Sequence, residues 1–226
     1  ETAVLDVLEE AGKVADEIET LLNHNRIFQK RTKGVGVISK EDANSYGISG
    51  PAARAAGIDW DLRIKEPYSD YEEFDFDVVI GVNGDVFDRY LVRMEEIRQS
   101  VKICRQVLDK MPEGEINIDA DSKFILPPKD DVYDSIEGLI YHFEQIMPNR
   151  GMTPPKGEAY VATESPNGEL GYYIVSDGSR TPYRVRTRPP SLMNYSIFSK
   201  IMTGRMISDA VAILGSLNII AGELDR

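Results

Sequence analysis

GDVFDRYLVRMEEIRQSVKICRQVLDKMPEG, residues 84–114, decides the fold class. Asp85 is a residue type that caps helix N-termini, and Pro112 with Gly114 stops whatever follows it. Between them Phe87, Tyr90, Met94, Ile97, Val101, Cys104, Leu108 and Met111 recur at alternating steps of three and four. That spacing puts them on one stripe, so the stretch predicts a long helix whose seam packs against other helices. Cys104 lies on the seam, which predicts a small buried apolar group instead of a reactive thiol.

Upstream, residues 3–31 predict another long helix, with Val4, Val7, Leu8, Ala11, Val14, Ile18, Leu21 and Leu22 on one face and Arg26, Lys30 and Arg31 at its C-terminal end. From Gly34 to Pro67 the glycines and prolines at 47, 50, 51 and 57 come too often for long elements, and loop with short turns is expected. Downstream, residues 115–131 are irregular and a helix is expected over about 133–147. The period then changes to two. Segments 158–164, 169–176 and 181–187 alternate as strands, with the turn signals Asn167-Gly168 and Asp177-Gly178 between them. A final helix is expected over about 204–222, apolar nearly all round and hence buried. The fold class is therefore α+β: a mainly helical part over about 1–150, a small antiparallel meander over about 155–188 and the terminal helix.

Composition narrows the function. With 42% hydrophobic and 28% charged residues in 226, the chain is an ordinary globular one and not a disordered or membrane-embedded one. A net charge of -12 argues against a nucleic-acid or anionic-lipid surface, which needs clustered cations. Arg180, Arg184, Arg186 and Arg188 come nearest, three of them on one face of a strand; an RNA groove stays open there, but a docking face for an acidic partner fits the overall charge better. One cysteine excludes an internal disulfide and suits a reducing compartment. The chain opens at Glu1 directly in a helical pattern, with neither initiator Met nor signal segment, and a piece cut from a longer polypeptide is expected. The most apolar stretch, Met206 to Ala221, is too short to cross a bilayer.

The usual catalytic constellations are absent from the sequence. Gly34-Val35-Gly36 lacks the third glycine of a dinucleotide fingerprint and follows a basic tail where a strand is required. Asp119 and Asp121 begin like a calcium loop, but Lys123 replaces an oxygen ligand and Phe124 the turn glycine. His24, His142 and Cys104 are too few and too scattered for a zinc or iron site, so no metal is expected in this chain. His142 sits among Leu139, Ile140, Phe143 and Ile146, where a hydrogen-bonded core or interface histidine is expected. The run Asp70, Glu72, Glu73, Asp75, Asp77 is interleaved with aromatic residues and is expected to be a strand edge or charged rim.

Several motifs, taken in order, resemble one family. They are Gly34-Val35-Gly36-Val37-Ile38-Ser39, then Gly50-Pro51, Arg54, Gly57, Asp61-Leu62-Arg63 and Pro67-Tyr68. Gly84-Asp85, Asp88-Arg89-Tyr90-Leu91, Arg93-Met94, Glu96 and Arg98-Gln99-Ser100 continue them. Gly168-Glu169-Leu170-Gly171, Ser176-Asp177-Gly178, Pro182-Tyr183-Arg184, Arg188, Pro190-Ser191 and Gly215-Ser216 to Gly222-Glu223-Leu224-Asp225-Arg226 complete the set. The chain resembles the C-terminal part of the D-type, 49-kilodalton-type quinone-site subunit of respiratory complex I, the proton-translocating NADH:quinone oxidoreductase.

The resemblance implies a fold shared with the large subunit of nickel-iron hydrogenases. The second cysteine pair that would hold nickel near the C-terminus has no counterpart here, since no cysteine follows Cys104. It also implies a peripheral subunit on the cytoplasmic face of the cell membrane, beside the iron-sulfur-bearing B-type subunit and the C-, H- and I-type subunits. Quinone would be bound in the assembled complex, the cluster would lie in the neighbouring subunit, and the chain alone would be inactive. The family's head-group ligands precede residue 1. What it places here is a cavity wall at Asn218, Ile220, Asp225 and Arg226, for which helix packing with a terminal charge pair is an equal alternative. Three positions depart from the family: Asn218 where Asp is usual, Arg205 where a histidine often follows Gly204, and Asn167 where a basic residue commonly precedes Gly168. The same subunit could serve a reduced-deazaflavin or ferredoxin dehydrogenase, and a non-catalytic scaffold or assembly module is the rival from another class.

Overall fold

A computed structural model describes residues 2–116, 125–147 and 153–225. The acidic loop at Asp119 and Asp121 and the terminal Arg226 lie outside the described residues. The described residues are mainly helical with one small antiparallel sheet, the α+β class expected. They fall into two compact units.

The first unit takes residues 1–111, 162–171 and 188–226. Its first helix, α1 (Thr2–Leu22), is shorter than the sequence suggests, because Asn25 starts a separate helix, α2 (Arg26–Thr32). The Asn25 side chain accepts hydrogen bonds from the N–H groups of Ile27 at 2.9 Å and Phe28 at 3.2 Å, so a cap interrupts the continuous apolar pattern. α1 buries only Ala15, while Val4, Val7, Val14, Ile18 and Leu21 stay exposed.

The stretch expected as loop is largely helical and supplies much of the core. It forms α3 (Lys40–Tyr46), capped by Ser39, then α4 (Gly50–Ala55) and α5 (Leu62–Lys65), capped by Asp61. Val35, Ile38, Ala43, Ile48, Ala52, Ala53 and Ala56 cluster with Val86, Ile197, Ile201, Ile213 and Leu217. The alanines of α4 let it approach the long helix α6 (Val86–Lys110) closely, and at Gly47, φ 64°, the chain leaves α3 in the left-handed region.

α6 starts where predicted. Asp85 Oδ1 accepts from the Asp88 N–H at 2.8 Å, and Oδ2 accepts from the Gly34 N–H at 2.7 Å, so one carboxylate caps the helix and fastens a distant loop. The seam is buried over the first turns only. Ile103 is buried, whereas Cys104 is exposed, contrary to the seam reading, and Met111 is exposed at the helix end. The acidic run is not a strand. After a single 3-10 turn (Tyr71–Glu73), the chain runs extended beside α6, where Gln106 and Gln99 accept from the N–H groups of Asp75 at 2.9 Å and Asp77 at 3.0 Å. Side-chain amides of the helix take the place of a pairing strand there.

After the sheet come α9 (Pro190–Ser196), α10 (Phe198–Met202), α11 (Asp209–Leu217) and α12 (Ala221–Leu224). The single buried terminal helix expected over 204–222 is thus divided, and Asn218, at φ 54° and ψ 54°, ends α11 in a left-handed cap. α11 buries one face, Asp209, Ile213 and Leu217, and leaves Val211 and Leu214 exposed.

The second unit takes residues 112–161 and 172–187, with α7 (Lys129–Asp134) and α8 (Ile136–Ile146). Ser135 separates these two helices where one was expected: its hydroxyl accepts from the Gly138 N–H at 2.9 Å. His142 is half-buried, edge-on to Phe143 with ring centroids 6.2 Å apart, and the neighbouring Leu139, Ile140 and Phe143 are exposed, so no core surrounds it among the described residues. The strands β1 (Gly157–Ser165), β2 (Gly168–Ser176) and β3 (Arg184–Arg188), whose residues are divided between the two ranges, lie in the order β1-β2-β3, within a few residues of expectation. Arg184 and Arg186 are exposed, Arg180 donates to the carbonyls of Met147 and Gln145, and Arg188 donates to those of Glu169 at 2.8 Å and Gly47 at 2.9 Å.

Candidate functional site

The segment from Asn218 to Asp225 is set by what lies under α11. Arg89, fully buried, donates from Nε to Ser216 Oγ at 2.9 Å, from Nη1 to the Gly84 carbonyl at 2.8 Å and from Nη2 to the Gly36 carbonyl at 2.9 Å. One planar guanidinium thereby joins α11, α6 and the 34–38 loop. Burial, added to by the like charge of Arg93, lowers its pKa to about 10, so it stays cationic at neutral pH. At the other end of α11, buried Asp209 pairs with Arg31 at 2.8 Å.

Beyond α11 the chain turns at Asn218 and crosses to α12. Asn218 is exposed, Ile220 is 49% exposed and Asp225 is exposed, so the side chains assigned to a cavity wall face outward from this unit. Their backbone and flanks are held by buried polar groups. The Asn218 amide donates to Asn167 Oδ1, the Ile220 N–H donates to Ser191 Oγ at 3.2 Å, and Glu223 Oε2 accepts from the Ser191 N–H at 3.0 Å. Asn167 is itself held, since its carbonyl accepts from Asn194 Nδ2 at 3.1 Å.

Asn167 and Asn218, two separate departures in the sequence, therefore touch. The contact is between neutral amides, so this turn carries no charge of its own. Ser191 and Glu223 were visible only as parts of motifs, and nothing in their spacing pairs residues 29 to 32 positions apart. Arg205, the third departure, is exposed.

A second cluster lies under α4 and α6. Arg54 donates from Nε to Glu96 at 2.7 Å and from Nη1 to Glu164 at 2.8 Å and to the Trp60 carbonyl at 3.1 Å, and Asp61 stands 3.5 Å away while pairing with Arg63 at 2.6 Å. Burial opposes the Arg54 charge, yet Glu96, Glu164 and Asp61 together raise its pKa above the ordinary value. For Asp61, burial pushes upward and Arg63 with Arg54 holds the carboxyl below its usual range. Glu164 goes the other way: burial raises it, because Arg54 is shared among three carboxylates and Asp61 repels it. Each group of this cluster is already engaged by its neighbours, which makes it a structural network.

Among the described residues no group of three or more His, Cys, Asp or Glu side chains could hold a metal ion. No described helix is long and apolar enough to cross a membrane.

The family model described as respiratory-chain NADH dehydrogenase, 49 Kd subunit, matches residues 1–226. The NADH-quinone oxidoreductase D-type subunit of Geotalea uraniireducens is 52% identical over 224 residues, 99% of this chain and 57% of that protein. Its namesake in Leptospira biflexa is 48% identical over 225 residues, 100% of this chain and 55% of that protein. A Bdellovibrio bacteriovorus protein, named as the C and D types of NADH-quinone oxidoreductase subunit jointly, is 49% identical over 223 residues, 99% of this chain and 39% of that protein. The chain thus spans between 39% and 57% of the length of these relatives. With every residue inside the family match and about half of the positions shared, the chain belongs to the family of the 49-kDa subunit of respiratory-chain NADH dehydrogenase.

Proposed function

We propose that this chain is the C-terminal part of the quinone-site subunit of a proton-translocating NADH:quinone oxidoreductase, and that the segment from Asn218 to Arg226 forms one wall of its quinone cavity. The observation that carries the reading is the family match over residues 1–226, joined to a turn whose outward side chains stand on a buried polar footing. Electrons would reach quinone from a cluster in the neighbouring subunit. This chain's part is to bind and orient: Ile220 offers an apolar contact and Asn218 an amide, with Asp225 bounding the far end. The relatives' names join NADH to quinone, which favours NADH over deazaflavin or ferredoxin as donor and favours an enzyme subunit over a scaffold. The joint naming of the Bdellovibrio bacteriovorus relative supports the C-type subunit as a partner, alongside those of the B, H and I types. The same reading puts the chain at the cytoplasmic face of the membrane, as a peripheral part of the complex.

The test is Ile220→Met in the full-length subunit within its complex. A side-chain swap of near-constant volume costs less than about 1.5 kcal/mol, so assembly should persist while the response to quinone-site inhibitors shifts. Val211→Met, at a 79% exposed position of α11, is the control. An unchanged inhibitor response in Ile220→Met membranes would refute the assignment.

A further inference from the structure

We propose that Ser191 is a positioning residue for the quinone-site wall: its hydroxyl and its N–H together clasp the turn that carries Ile220, so that the strength of quinone binding depends on a residue that does not touch quinone. The inference rests on the reading of Asn218 and Ile220 as wall residues. α12 is four residues long and buries none of them. So short a helix is unstable by itself; Ile219 packs against the core just ahead of it and Leu224 is half-buried, but with no fully buried residue in α12 the polar contacts are what set its register. Its packing neighbour is α9, which presents Ser191. The Ser191 hydroxyl accepts from the Ile220 N–H just ahead of α12, and the Ser191 N–H donates to Glu223 within it. Two bonds three residues apart fix both the height and the rotation of the turn.

Exposure separates the clasp from what it holds. Ser191 is 0% exposed, while Ile220 is 49% exposed. Asn167, 2% exposed, supplies a second anchor at Asn218 through its own side chain, and is itself tied to α9 by Asn194. Ser191 Oγ stands in for the missing intrahelical partner of the Ile220 N–H, at the point where the cap of α11 has ended one helix and the next has not begun.

The test is Ser191→Ala in membranes carrying the full-length subunit in its complex, with Asn167→Ala as the second variant. Losing one hydrogen bond of ordinary strength predicts a rise of roughly 3- to 10-fold in quinone KM and a comparable shift in inhibitor concentration at half effect. The quantity of assembled complex, and electron transfer from NADH to an artificial acceptor that bypasses quinone, should stay the same. Ser191→Cys, which keeps a weak acceptor, should fall between. An unchanged KM in Ser191→Ala alongside a shifted response in Ile220→Met overturns the clasp and leaves the wall assignment standing. No change in any of these variants overturns both. Failure of both alanine variants to assemble would make these residues determinants of folding and would also overturn the proposal.

Discussion

Replacing Arg54 by Met tests how much of the fold hangs on one buried cation. The substitution keeps an unbranched stem of similar length, so the cavity is small and the charge is the main thing lost. Three carboxylates then lose their shared partner: Glu164, 4% exposed, Asp61, 1%, and Glu96, 18%. Asp61 keeps Arg63 at 2.6 Å, so the loss falls on Glu164 and Glu96, and the Trp60 carbonyl loses its donor. Removing one member of a buried pair costs about 3–5 kcal/mol, a large share of the roughly 5–15 kcal/mol typical of a folded domain. The cost should depend on pH. Glu164 already has its pKa raised by burial, and without Arg54 it rises further. An acid whose folded pKa exceeds its unfolded value gives stability that is present below the unfolded value and lost as pH rises through the folded one. The penalty of Arg54→Met should thus be smallest near pH ~4 and grow toward neutrality. Trp60 is the sole tryptophan and sits at the cluster, so urea unfolding followed by its fluorescence over a pH series reads the effect locally. Adding Glu164→Gln should return part of the loss. A penalty below about 1 kcal/mol, or one constant across pH, would refute the reasoning.

Other outcomes follow from single sites. Gly50→Ala should lower thermal stability markedly, by about 2–4 kcal/mol, since at φ 67° its Cβ would stand 2.4 Å from Gly168 Cα, whereas Gly34→Ala, at φ 70° with open space, should cost only about 1–2 kcal/mol. Asp85→Ala should cost about 1–2 kcal/mol in urea unfolding, by uncapping α6 and freeing the Gly34 N–H together. Cys104, being exposed, should react with a maleimide in the folded chain without a change in circular dichroism; protection until denaturant is added would restore the seam reading.

Where each helix begins was legible locally when a side chain caps its own backbone. Asp85 and the period-three-and-four pattern announce α6, and the turn pairs at 167–168 and 177–178 announce the strands. The same kind of signal at Asn25 and Ser135 was overridden by apolar periodicity, which runs across both breaks. The motifs and the family resemblance they carry were likewise in the sequence, and the match over residues 1–226 agrees with them. Burial was a tertiary decision. Periodicity shows that a stripe is apolar but not what covers it, so Cys104 and the outer face of α11 came out exposed while the glycine-rich 34–56 stretch entered the core. Partners far apart in the chain were also decided only by the fold. Arg54 meets Glu164 across 110 positions, Asn167 meets Asn218 across 51, and Ser191 meets Ile220 across 29. A hydrogen bond acts over about 3 Å, whereas sequence pattern constrains only the few residues that share a helical turn or a strand pair, so these contacts have no local signature.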